Sequence, residues 1–101
     1  MTPAEIDQDD ESSGPYQVVL SSAAVRSLKT IPARYAEPLV TFVFVALAGD
    51  PRRRGKPLGA DFAGLWSARR GDYRIIYEID EVVRVVDVVR FAHRAHVYRQ
   101  R

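Results

Sequence analysis

The sequence predicts an α+β fold: one N-terminal strand, two helices, then a three-strand antiparallel meander, with the helices on one face of the sheet. Three observations carry this. Apolar residues recur at helical spacing between Val25 and Leu47. They alternate or run in β-branched blocks between Leu65 and Ala92. Two turn signals, Gly71-Asp72 and Asp80-Glu81, divide that second stretch into strands.

Each element has its own signal. Residues 1–14 are polar and acidic with Pro3 and Gly14, and read as a disordered tail ahead of a single domain over 15–101. Tyr16 to Leu20 is short, apolar and β-branched, a first strand. Ser21 and Ser22 can cap the next helix, where Val25, Leu28 and Ile31 share a face until Pro32 interrupts. A longer helix is predicted from about Ala33 to Ala48, with Tyr35, Leu39, Phe42, Val43, Ala46 and Leu47 as its buried stripe. Pro38 should kink it or delay its start, and Gly49-Asp50-Pro51 should end it. Arg52 to Phe62 reads as a loop, and three strands follow: Leu65 to Arg70, Tyr73 to Ile79, and Val82 to about Ala92. Along the middle strand Tyr73, Ile75, Tyr77 and Ile79 share one face and should pack on the helices. Arg74, Ile76 and Glu78 then face the other way, onto a sheet surface expected to be open for function.

Composition narrows the class. A chain of 101 residues, 47% hydrophobic, supports one core and one domain. The absence of cysteine excludes disulfides and thiolate metal sites and fits a reducing compartment. No apolar stretch approaches the ~20 residues that span a bilayer. The N-terminus lacks the basic-then-apolar order of a secretion signal, so the chain reads as cytoplasmic.

The distribution of charge says more than its net value of +2. The first 14 residues carry five acids and no base, which leaves 15 basic against 8 acidic side chains, or +7, on the rest. Twelve of those 15 lie between Arg52 and Arg101, and 11 of the twelve are arginines. A basic patch attracts polyanions. Arginine also grips phosphate bidentately and stacks on bases, which lysine does less well. A solvated surface accounts for some of these residues but less readily for the arginine bias. The acidic residues 1–14 either lean over the basic face or form a solvated tail.

Well-known catalytic signatures are missing: there is no Gly-rich phosphate loop, no His-Glu-x-x-His and no nucleophile elbow. Two histidines three apart, His93 and His96, are weak evidence for a metal, and neither a metal nor another cofactor is expected. The density of His, Arg and Tyr just after the last strand is unusual. RNA can be cut without metal when its own 2′-hydroxyl attacks the adjacent phosphorus. That needs a proton acceptor, cations for the dianionic transition state and an acid for the leaving oxygen. Histidine titrates near neutrality, and tyrosine can be brought down by neighbouring cations. The plainer alternative puts Tyr98 on the core edge and His93 on the surface.

Asp50-Pro51, then Gly55-Lys56-Pro57-Leu58, then Gly64 through the Gly71-Asp72-Tyr73-Arg74-Ile75-Ile76-Tyr77 run, and finally His93-Arg94 with Val97-Tyr98, resemble the RelE/ParE toxin superfamily. Order and spacing agree over roughly residues 16–99. The resemblance implies a RelE-like sandwich and a toxin of a type II toxin–antitoxin system. It further implies an mRNA endoribonuclease, typically acting on codons in the ribosomal A site and so inhibiting translation. By position, Arg74 matches the strand arginine that contacts the scissile phosphate, and Tyr98 the C-terminal tyrosine that activates the 2′-hydroxyl or stacks on a base. Arg94 matches a basic residue of the C-terminal segment, and His93 joins this catalytic group. Arg52, Arg53, Arg54, Lys56, Arg69, Arg70, Arg90, His96 and Arg99 are the RNA-binding candidates. The lysine pair of some members is absent, with Ser67 and Ala68 in that region and only Arg69 and Arg70 offering charge; a further family arginine falls on Ala92.

Two alternatives share the fold: a ParE-like gyrase poison, and a non-catalytic protein acting as an antitoxin-bound co-repressor. The implied partners are a RelB-like antitoxin in a heterodimer or larger assembly, mRNA with the ribosome, and operator DNA only through the antitoxin. No membrane partner is implied.

Overall fold

The computed structural model describes residues 15–93. The acidic tail and the candidates Arg94, His96, Tyr98 and Arg99 lie outside the described residues. Strand β1 (Gln17–Leu20) leads into helix α1 (Ser22–Lys29) and helix α2 (Ala33–Thr41), which continues as a wider π-helical segment over Phe42–Leu47. A short helix α3 (Pro51–Arg54), strand β2 (Gly55–Pro57) and a 3₁₀ turn (Ala60–Phe62) precede the meander β3 (Trp66–Arg70), β4 (Tyr73–Asp80) and β5 (Val85–His93). The sheet runs β1-β5-β4-β3-β2, with β1 parallel to β5 and every other pair antiparallel. The α+β class is as the sequence implies.

Serines fix α1 to the sheet. Ser21 caps the helix by accepting the Ala24 N–H at 3.0 Å, and its hydroxyl donates to the Val89 carbonyl at 2.8 Å. Ser27 accepts the Phe91 N–H at 3.0 Å. Pairing between β1 and β5 stops at Leu20 and Val88, so these hydroxyls satisfy backbone groups that the short first strand leaves open. The core lies between the helices and one sheet face: Ala24, Leu39, Val43 and Leu47 pack against Ala68, Ile75, Tyr77, Val86, Val88 and Phe91.

The second helix departs from expectation in its last turns, which are π-helical. It starts at Ala33 as expected, with Pro38 inside the α-helical part, where it deprives Arg34 of an i+4 donor. The buried residues Leu39, Val43 and Leu47 are spaced by four. In a regular α-helix positions four apart drift by about 40° per step. The wider segment over Phe42–Leu47 holds them closer to one line. Tyr35 leaves the predicted stripe and is 45% exposed, and Val25 on α1 is likewise 39% exposed. Tyr35 lies beside Tyr73 at the β3–β4 turn, and Val25 lines a groove between α1 and α2.

Two further corrections concern connections, and a third the outer sheet face. Arg52–Phe62 is not a bare loop: it holds α3, β2 and the 3₁₀ turn, and β2 gives the sheet a fifth strand. The last turn spans Glu81–Arg84, so β5 begins at Val85 instead of Val82. Asp80 decides this, because its carboxylate accepts from the Val82 N–H (3.0 Å) and the Val83 N–H (3.3 Å). Arg84, at φ 56°, completes the reversal and leaves Val82 in solvent. Finally, the sheet face away from the helices is not bare. Ile76 and Ala92 are 4% and 8% exposed there, with Leu58, Leu65 and Val89 packed on them.

Around that last turn, the Tyr16 hydroxyl donates to Glu81 Oε1 at 2.7 Å, Arg52 Nε donates to Oε2 at 2.8 Å, and the Arg84 guanidinium lies 4.1 Å from the Tyr16 ring centroid. The Tyr16 hydrogen bond, then the one from Arg52, holds the Glu81 carboxyl below its ordinary pKa. The same bond raises the Tyr16 phenol above its own. A depressed carboxyl pKa contributes stability above the unfolded value and loses it as pH falls through the folded one. An NMR titration should therefore place Glu81 below the usual glutamate range, and Tyr16→Phe should move it up. A Glu81 titrating at its ordinary value would contradict this. Among the described residues no helix is long and apolar enough to cross a membrane.

Candidate functional site

The face away from the helices is assembled from single residues on alternating positions of four strands. Register places Lys56, Ser67, Ile76 and Arg90 in one row across β2, β3, β4 and β5. The next row toward the Gly71-Asp72 turn holds Arg69, Arg74 and Ala92. Strict alternation along β5 would put Arg90 on the same side as Val86 and Val88. A register shift opposite Ile76/Tyr77 prevents this: Tyr77 pairs with Val88 and Ile76 with Arg90, so Val89 is the extra residue. The bulge turns Arg90 outward and Phe91 into the core.

Arg74 is the centre of this surface. It is half-buried, and its Nη1 is buried with no hydrogen-bond partner among the described residues. A buried unsatisfied donor costs about 1–3 kcal/mol, more when charged. Its cross-strand neighbour is another cation, Arg69, and like charges directly opposite repel. On its other side Ala92 offers neither charge nor bulk. An incoming anion would satisfy the open donor and relieve the repulsion together, and a phosphate can take both N–H bonds of a guanidinium fork. Arg90 is held partly out of water, which lowers its guanidinium pKa from the usual value.

The structure brings together only some of the basic candidates. Lys56, Arg69, Arg74 and Arg90 share this face. Arg52 does not: it is ion-paired to Glu81, and its guanidinium lies 5.6 Å from the Trp66 ring centroid. Arg53 stands 4.0 Å from the Asp50 carboxylate, and Arg54 is exposed at the end of α3. Arg70 alternates with Arg69 and so lies on the helix side, its guanidinium 5.8 Å from the Phe42 ring centroid. His93 is also on the helix side, paired with Tyr73 and edge-on to its ring at 5.4 Å. The sheet thus separates His93 from Arg74.

Ser67 was not singled out as a binding residue, yet its register between Lys56 and Ile76 puts it on the basic face. The alternation in Trp66-Ser67-Ala68-Arg69 was the available signal. Tyr73 was read only as core. It is half-buried and also walls a cleft with Tyr35.

Comparisons with known proteins agree with this architecture. The sequence profile of the ParE toxin of the type II toxin–antitoxin system, parDE, matches residues 18–98. Toxin RelE of Mycobacterium tuberculosis is 45% identical over 85 residues, covering 84% of this chain and 88% of that protein. Toxin RelG of the same organism is 43% identical over 86 residues, covering 85% and 99%. Among solved structures, the toxin–antitoxin complex RelBE2 from M. tuberculosis superposes with a TM-score of 0.78 at 43% identity, over 80% of this chain and 93% of that one. The archaeal RelE–RelB complex from Pyrococcus horikoshii gives a TM-score of 0.64 at 24% identity, over 82% and 99%, a likeness of fold.

Proposed function

The chain belongs to the ParE toxin family of type II toxin–antitoxin systems, within the RelE/ParE superfamily, and on that premise we propose that it is a RelE-type mRNA endoribonuclease. In this reading it acts in the cytoplasm on ribosome-bound mRNA and inhibits translation, and a RelB-like antitoxin holds it inactive. Domain 15–101 carries the activity.

The observation that carries this reading is the buried Nη1 of Arg74, unpartnered among the described residues, on a face lined by Arg69, Lys56 and Arg90. In the reaction the 2′-oxygen bonds to the adjacent phosphorus as its proton leaves. The bond from phosphorus to the 5′-oxygen breaks, and that oxygen takes up a proton. The products are a 2′,3′-cyclic phosphate and a 5′-hydroxyl. Arg74 neutralises the equatorial oxygens as charge builds on them, with Arg69 lowering the local potential. Tyr98 accepts the 2′ proton or stacks on the flanking base, a role that comes from the resemblance, and Arg94 adds positive charge as the matching basic residue of the C-terminal segment. His93, on the helix side, is left out of the proton transfers.

The antitoxin has independent support. RelBE2, 43% identical to this chain, is a toxin–antitoxin complex. A basic domain with an arginine-lined face would favour an acidic antitoxin segment electrostatically. A heterodimer that assembles further through the antitoxin and reaches operator DNA through it follows from the same reading.

One observation favours a second reading, a gyrase poison: the matching profile is that of ParE. Primer extension on cellular mRNA after induction of the chain separates the two. Codon-phased 5′ ends are expected. Intact mRNA accompanied by DNA damage would replace this proposal with the gyrase reading, and intact mRNA without damage would leave a non-catalytic co-repressor.

A further inference from the structure

We propose that the cleft between α2 and the β3–β4 turn is a stacking site for an unpaired base of single-stranded RNA, entered around the hairpin tip from the phosphate site at Arg74. This inference rests on the ribonuclease reading and extends it to a second surface.

The cleft has a volume of about 450 Å³ and is lined by Tyr35, Pro38, Arg70, Asp72, Tyr73 and His93, among others. That size falls in the range of small-ligand sites. Its walls are rings. Tyr35 and Tyr73 lie with centroids 6.0 Å apart and planes tilted by 40°, and His93 meets Tyr73 edge-on. Tyr35 is the informative member. It belongs to an apolar helix stripe by sequence, yet almost half its surface is in water. The core makes little use of it. The Arg34 guanidinium lies 4.9 Å from its ring centroid, a cation–π contact that stiffens the ring.

The chemistry of the hairpin tip says what these rings would hold. Two cross-strand pairs follow each other there, Arg69 with Arg74 on the basic face and Arg70 with Tyr73 on the helix face. A polyanion crossing the tip would meet guanidinium groups on both sides and one carboxylate, Asp72, at the turn itself. A strand with one phosphate on Arg74 can therefore carry a neighbouring phosphate past Arg70 and lay its base on the exposed surface of the Tyr35–Tyr73 ring pair. An aliphatic protein side chain would fill such a cleft without using the cations at its edge. Every base has a π-face, so the site should be tolerant of sequence.

The test compares two single-stranded probes by fluorescence anisotropy: a 2′-deoxy hexanucleotide, which has no 2′-hydroxyl to drive cleavage, and an abasic phosphodiester chain of the same length and charge. The full chain should bind the base-bearing probe about 10-fold tighter than the abasic one, since base–aromatic stacking contributes roughly 1–3 kcal/mol per base. Tyr35→Ala should remove most of that preference, and Tyr35→Phe should keep it. Because Tyr35 is exposed, folding should survive either change. Arg74→Ala should weaken both probes alike, which tests the phosphate site separately. Loss of affinity in Arg74→Ala, with the base preference intact in Tyr35→Ala, would overturn the stacking site and leave the ribonuclease reading standing. No effect of either variant on either probe would overturn both. If Tyr35→Ala instead weakens the antitoxin complex and leaves the base preference unchanged, the cleft is a protein-docking surface and the inference falls.

Discussion

Arg74→Ala should lower the rate of mRNA cleavage by about 10²–10³-fold, the usual loss when one pre-placed donor to a developing oxyanion is removed. Growth arrest on induction should disappear with it. Stability should move the other way. The substitution removes a buried donor that no described residue satisfies and separates Arg69 from a like charge directly across the strand. Thermal unfolding of the variant should therefore match or exceed that of the parent chain. Such a split, activity lost while the fold is kept or strengthened, marks a residue retained for a ligand. Arg74→Lys should recover binding of nucleic acid at low salt but little of the rate. An ammonium supplies the charge without the two-pronged contact. Full cleavage by Arg74→Ala would remove the central support of the proposed mechanism. A marked loss of stability would show that its side chain is structural.

The second large effect belongs to Gly55, at the entry to β2. Its φ of −140° is ordinary extended backbone, so conformational freedom does not explain a glycine here. Space does. A Cβ at this position would collide with the Tyr77 hydroxyl and stand 2.8 Å from the Ser67 carbonyl oxygen. Tyr77 cannot easily give way. It is wholly buried, and its hydroxyl donates to the Pro51 carbonyl at 2.6 Å. Burial pushes its phenol well above the usual tyrosine pKa, so that donor stays protonated. Gly55→Ala must break this hydrogen bond or push β2 off β3. Overpacking and the orphaned carbonyl together should cost about 2–4 kcal/mol. For a domain this small, that lowers Tm by at least about 8 °C. Tyr77→Phe in the Gly55→Ala background should recover part of the loss, because it removes the atom in collision. Strict additivity of the two changes would show that the contact does not matter.

Alternation in Tyr73–Ile79 was enough to put Ile75 and Tyr77 in the core and Arg74 on the opposite face, because a strand repeats every two residues whatever surrounds it. The capping serine before α1 and the glycine turn before Tyr73 are likewise local and were legible. Tyr35 leaves the expected buried stripe because helical periodicity marks an apolar face without saying which of its residues the core covers. The bare loop assigned to Arg52–Phe62 failed for a different reason. Gly55–Pro57 has almost no β signal of its own and becomes a strand only by pairing with β3.

The sequence by itself determined the α+β class, the order of the main elements and the side of β4 on which Arg74 stands. These depend on short-range periods and turn chemistry, which a chain carries before it folds. Tertiary structure alone decided which cations meet. The bulge at Val89 turns Arg90 onto the basic face, while pairing across the hairpin sends Arg70 and His93 to the other one. Glu81 draws Arg52 away to the far turn. Register and long-range pairing set these positions, and neither is encoded in the spacing of any one segment.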